Sequence, residues 1–172
     1  MPWNHPTTRR GFAGALSVAV LALLTPPAAA QTEVKGKIGG WETRCESPPG
    51  AQTQQCAIVQ SVVDPDRPNI TLVVIALKTA DRKSRLLRVI APLGVLLPTG
   101  VGLRVDADDL GRINFMRCQP NGCIAEVFLD DKLLGKLEAA TKATLVLYQT
   151  MEEGIGVPLP LDGFKSSFEA LP

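Results

Sequence analysis

Histidine is nearly missing from this chain. The only one is His5, inside an N-terminal segment that reads as cleaved. What remains therefore has no route to Ser-His-Asp or Cys-His nucleophilic catalysis, to an imidazole general base, or to His-ligated zinc or copper. Aromatic residues are scarce, at 5% of the chain, and Trp41 is the only tryptophan beyond Trp3. Charge of one sign is also lacking: 18 Lys and Arg stand against 17 Asp and Glu, and no run of like charge forms a tail. That balance removes the electrostatic basis for binding nucleic acid or anionic lipid. The uncharged apolar run from Gly11 to Leu24 falls short of the roughly 20 residues a bilayer-spanning helix needs. There is no internal repeat and no low-complexity segment. Aspartate, glutamate, lysine and tyrosine chemistry remain open.

What is present begins with a three-part leader. Arg9 and Arg10 give a positive start, Gly11 to Leu24 an apolar middle, and Pro26-Pro27 a helix break. Ala28-Ala29-Ala30 then offers the small side chains a signal peptidase accepts, with Ala28 and Ala30 framing cleavage after Ala30. Residues 1–30 are read as a cleavable signal peptide, and no transmembrane segment is expected after cleavage. Thr8-Arg9-Arg10-Gly11-Phe12 resembles the twin-arginine export motif, although Ala13-Gly14 replaces the usual Leu-Lys. Both export routes stay open. The predicted location is the periplasm or the outside of the cell.

Four cysteines follow the leader: Cys45, Cys56, Cys118 and Cys123. An even count in an exported chain reads as two disulfides. Of the three connectivities, the local one is expected, Cys45–Cys56 and Cys118–Cys123. Gln119-Pro120-Asn121-Gly122 and Ser47-Pro48-Pro49-Gly50 are turn chemistry that brings each pair together. Each bridge is worth about 2–4 kcal/mol through restriction of the unfolded chain, less for the shorter loop. A redox dithiol wants C-x-x-C at a helix start, and a four-cysteine zinc site wants two close pairs. Neither spacing is met, so no metal and no cofactor are expected.

The rest of the chain is short strands between Gly/Pro-rich turns. Residues 31–40 read as a flexible mature N-terminus. Strands are predicted at Trp41–Glu46, Gln55–Val63, Ile70–Leu77, Arg85–Ala91, Val101–Val105, Arg112–Arg117, Cys123–Leu129, Thr144–Gln149 and Val157–Leu161. Ile70–Leu77 is apolar almost throughout and reads as well buried. Asp106–Gly111 reads as an acidic turn. Asp130–Ala140 holds good helix formers weakened by Gly135, and one helical turn or a loop is expected. Asp162 is placed to cap a short C-terminal helix whose Phe164, Phe168 and Leu171 form one core-facing stripe. The fold expected is all-β: a single-domain, disulfide-braced β-sandwich, or barrel-like form, of short antiparallel strands with a short C-terminal helix over 41–172.

Several of these pieces resemble, in order and spacing, the invasion-associated locus B (IalB) family of exported bacterial proteins. They are Trp41-x-x-x-Cys45, Cys56, Pro92-Leu93-Gly94-Val95 with Val101-Gly102-Leu103, Phe115-x-x-Cys118-x-x-x-Gly122-Cys123, and Leu159-Pro160-Leu161-Asp162-Gly163-Phe164 with Ala170-Leu171. The resemblance spans nearly all of the mature chain. It implies an envelope or secreted β protein with paired cysteines, and a host-interaction role of the kind the founding member is associated with. It implies no reaction and supplies no catalytic motif. Lys165-Ser166-Ser167 departs from a stretch that is often small and apolar in the family, which bears on helix packing.

Candidate sites weigh against ordinary structural roles. Asp106, Asp108 and Asp109 lack the spacing of a calcium loop. Asp130-Asp131 and Glu152-Glu153 carry no signal of raised carboxyl pKa values. Arg82, Lys83, Arg85 and Arg88 form the densest basic stretch and are the candidate for meeting a protein or envelope partner. Trp41 is expected to pack on a disulfide. The function expected is non-enzymatic: an exported protein acting through protein or envelope contacts, its partner and oligomeric state open. The alternatives are an exported enzyme using carboxylates and a structural envelope protein with no discrete ligand.

Overall fold

A computed structural model describes Met1, residues 32–47 and residues 53–172. The leader, with Ala28 and Ala30, and most of the Ser47–Gly50 reversal lie outside the described residues. The chain forms two antiparallel sheets that do not close into a barrel. The larger contains β1 (Glu33–Ile38), β2 (Trp41–Glu46), β3 (Gln55–Val63), β4 (Thr71–Lys78), β5 (Arg85–Ala91), β8 (Phe115–Gln119) and β9 (Gly122–Phe128). Its order is β1-β2-β3-β4-β5-β9-β8. The smaller contains β6 (Val101–Val105), β7 (Asp108–Ile113), β10 (Lys142–Tyr148) and β11 (Gly154–Pro160), in the order β11-β10-β6-β7. Helices α1 (Asp131–Ala139) and α2 (Phe164–Glu169) complete it.

The core follows from strand alternation. Leu72, Val74 and Ala76 of β4, with Leu87, Val89 and Ala91 of β5, point inward. They meet Leu145 and Leu147 of β10, Val157 and Leu159 of β11, and Leu134 and Leu137 of α1 in one cluster. Trp41 is fully buried and meets Phe164 edge-on at 5.1 Å, and Phe164 stacks on Phe168 at 5.7 Å. The tryptophan's ring partner is thus the C-terminal helix. Phe164, Phe168 and Leu171 face the core as their spacing predicts. Ser167 is buried beside them with its hydroxyl unpartnered.

Several boundaries differ from the sequence reading, each for a physical reason. Residues 33–38, expected as a flexible lead-in, form β1 and pair with β2. Gly39-Gly40 is the two-residue loop that joins them, a recognised hairpin signal. The predicted strand 112–117 divides at Asn114: β7 pairs with β6 in one sheet, and β8 pairs with β9 in the other. Ile113 and Phe115 are both apolar, so alternation alone cannot distinguish one straight strand from a change of sheet. The acidic turn shrinks to Asp106-Ala107, because Asp108 and Asp109 already belong to β7. Asp131–Ala139 is a full helix: the Asp130 carboxylate at its N-cap accepts a hydrogen bond from the Leu133 amide at 2.7 Å, which offsets Gly135.

Asp162 does not cap α2. The cap position is Gly163, in the left-handed region at φ +82°. A side chain there would strike the Ile38 carbonyl, and one at Gly39 would strike the Asp162 carbonyl. The two glycines therefore let the β1–β2 turn seat against the start of α2, a closeness no Cβ allows.

Candidate functional site

Both disulfides form as expected. Cys45–Cys56 joins directly opposed residues of β2 and β3, and Cys118–Cys123 does the same for β8 and β9. The first is buried in the core, whereas Cys118 is exposed. Both are braces, and neither sits at a helix start.

Of the candidate acids, Asp108, Asp109, Asp130, Asp131 and Glu153 are engaged in local structure. Asp108 pairs with Lys136, whose hydrogen bond holds the carboxyl below its usual range. Asp109 accepts from the Gly111 amide at 2.9 Å, and Asp131 pairs with Arg85 at 2.6 Å. Glu153 pairs with Arg67 at 2.9 Å. Among the described residues, no three of His, Cys, Asp or Glu converge as metal ligands.

The basic stretch does not form one surface. Arg82 and Lys83 lie in the β4–β5 turn, which Asp81 organises by accepting from Thr79 Oγ1 at 2.5 Å and from the Lys83 amide at 3.1 Å. Those bonds, with Thr79 first, hold the Asp81 carboxyl below its ordinary value. Arg85 shares the parity of the inward residues of β5 and is tied to the start of α1. Arg88 points the other way, to the outer face, where its Nε donates to Glu126 at 2.6 Å. Alternation separates residues that adjacency in sequence seems to group.

That outer face of the large sheet is the surface the sequence reading missed. Antiparallel sheets packed on one side usually show water a polar second face. Among the described residues, neither helix and no strand of the smaller sheet lines it. A groove runs across it with Ala57, Val59, Val73, Ile75, Leu77 and Ile90 as its floor, and Arg44 and Arg88 at its sides. Cross-strand pairing sets these side chains in rows: Ala57 opposite Leu77, Val59 opposite Ile75, Val73 opposite Ile90. Phe128, opposite Leu86 on the next strand, is 68% exposed. Charge on the face is internally paired. Glu42 takes Arg44 at 2.8 Å and Lys37 at 3.5 Å, and the Arg44 hydrogen bond leads in holding the Glu42 carboxyl below its ordinary value. The signal was the unbroken apolar run of β4. It was read as deep burial, but Val73, Ile75 and Leu77 are only half-buried. Such a run marks a strand that needs cover on both faces.

Comparison with known proteins places this geometry in context. The model of the family described as Invasion associated locus B (IalB) protein matches residues 41–172. The crystal structure of invasion associated protein B from Bartonella henselae is similar, with a TM-score of 0.61 and 22% identity. That likeness covers 80% of this chain and 92% of the other, and at that identity it is one of fold. No curated protein matches the chain.

Proposed function

The chain belongs to the invasion-associated locus B family, and from that premise we infer that it is an exported, non-enzymatic protein that acts by contact through the outer face of its seven-stranded sheet. The apolar, uncovered groove on that face carries the reading. Monomeric soluble proteins rarely leave broad contiguous apolar surface in water, and such surface marks interaction sites. The absence of histidine from residues 31–172 and the structural engagement of the acids support contact over covalent chemistry. The leader supports delivery to the periplasm or beyond, and the family's name suggests contacts at an envelope or host surface.

In-cell crosslinking of the tagged protein, with mass spectrometry of what is captured, tests this. Specific captures are expected for the wild type, to be lost with Ile75→Glu and kept with the turn variant Arg82→Glu/Lys83→Glu. The reverse pattern would move the contact site to the basic turn. Captures indifferent to both variants would sink the outer-face reading.

A further inference from the structure

The next step rests on the contact reading and names the partner. One cross-strand row on the outer face runs Lys37, Glu42, Val59, Ile75, Arg88, Glu126, each residue directly opposite the next. Its charges read plus, minus, neutral, neutral, plus, minus. The order is antisymmetric about the line between β3 and β4, so the reversed row offers every charge its opposite and every apolar residue another. A twofold interface, in which one patch meets itself, requires this kind of self-complementarity. We propose that the outer face of the seven-stranded sheet docks a second copy of this chain about a twofold axis parallel to the strands and lying between β3 and β4.

In that arrangement Lys37 stands over Glu126 of the second copy, Glu42 over Arg88, and Val59 over Ile75, each contact made twice. The Lys37–Glu42 and Arg88–Glu126 pairs, at 3.5 and 2.6 Å within one copy, stay closed and gain an opposed pair across the interface. The flanking rows agree in size. Ala57 falls over Leu77 and Ser61 over Val73, so small residues of β3 receive larger ones of β4. At the rim Val34 meets Phe128, two side chains that are 58% and 68% exposed in one copy. Arg44 falls over Leu86, where its stem covers the leucine while its guanidinium remains on Glu42. Two sheets so stacked keep their strands within about 30° of each other.

The area sets the strength. Six strands each about 4.8 Å wide and three rows each about 7 Å deep give a footprint of roughly 29 by 21 Å on each copy. Two such footprints bury about 1,200 Å², the low end for a specific interface. An interface of that size is expected to be reversible, which sets the micromolar range in which the dimer is sought.

Sedimentation velocity across the micromolar range tests the proposal, on protein purified after export. The wild type is expected to self-associate. Glu42→Lys sets lysine against Arg88, and Arg88→Glu sets glutamate against Glu42, so each alone should weaken the dimer at least about tenfold. Mixed in equal amounts, the two variants recover both charge pairs and should dimerise again. A wild type that stays monomeric, a dimer indifferent to either variant, or a mixture no better than its components would each overturn the proposal. If either charge variant melts below the wild type, Val34→Ser and Phe128→Ser take its place: both should weaken association at unchanged melting temperature, and no effect from either would overturn the proposal. A monomeric wild type whose cellular captures still vanish with Ile75→Glu overturns self-docking and leaves the contact reading standing. Loss of both overturns both.

Discussion

The inner and outer faces of the large sheet are made by the same strands, residue by alternate residue, yet they meet different surroundings. Leu72, Val74 and Ala76 point into a core closed by the second sheet and both helices, while Val73, Ile75 and Leu77 point into an open groove. Composition on the two sides of β4 is nearly the same. What separates them is cover. The inner face derives its stabilisation from folding; on the outer face Val59 is already buried and Val73, Ile75 and Leu77 are half-buried, and the remainder of their burial is left for association. Hydrophobic pattern alone therefore reports how much surface wants to leave water, and not when it does so.

The sharpest way to break this contrast is to remove one aromatic from each side. Phe164→Ala should cost about 3–5 kcal/mol of unfolding free energy in urea, because a closed core cannot refill the space. Phe128→Ala should stay within about 0.5 kcal/mol for the dilute protein. Equal losses would mean that the outer face is closed in the monomer.

The two disulfides extend the comparison. Replacing Cys45 and Cys56 together by Ala should cost about 3 kcal/mol, and replacing Cys118 and Cys123 about 2 kcal/mol, as loop-closure entropy predicts. The buried bridge should lose more than its loop length alone implies, since its sulfurs also fill the core. Thermal melting of the two variants orders them.

A smaller effect concerns what covers the inner side. Asp130→Ala removes the α1 cap and should cost about 1 kcal/mol. Asp131→Ala, which breaks an exposed pair with Arg85, should cost less than about 0.5 kcal/mol. Urea midpoints of the two variants should differ in that order.

The smallest expected effect is one of pH and belongs to the outer face. Glu42 has its pKa lowered below its ordinary 4.5, chiefly by the hydrogen bond from Arg44. A lowered carboxyl pKa stabilises the folded state above the ordinary value, and this contribution disappears as pH falls through the folded value. Wild type and Glu42→Gln should thus differ slightly near neutrality and converge in acid. A difference that grows on acidification would reverse the sign and remove the Arg44 pair as its cause. Gln60, the buried polar residue of β3, has no proton to lose in this range.

Much of the architecture was legible because its signals are local. Turn chemistry between cysteines predicted both bridges, alternation predicted the core sides of β2 and β6, and the Phe164, Phe168, Leu171 spacing predicted the buried side of α2. Elements decided by distant contact were not. β1 is exposed along its whole length and alternates no apolar residues; only Gly39-Gly40 announced it. The division at Asn114 depends on which sheet each half can reach. Gly163 replaces Asp162 as cap because Ile38, far away in sequence, leaves no room for a Cβ. The candidate surface was hidden by its own strength of pattern, for β4 reads as fully buried until the missing cover is seen. The basic stretch misled in the opposite direction, since neighbours along a strand face apart.

The paired glycines at 39 and 163 carry a consequence for the order of events as the chain folds. The hairpin of β1 and β2 is ready early, and Cys45 has its partner only eleven positions on. Trp41 nevertheless lacks its edge-on ring partner until Phe164 closes on it from the far end of the domain. Loop closure across that span is slow relative to local turns. For that interval Trp41, the one large aromatic of the first hairpin, lacks the ring that covers it in the folded chain.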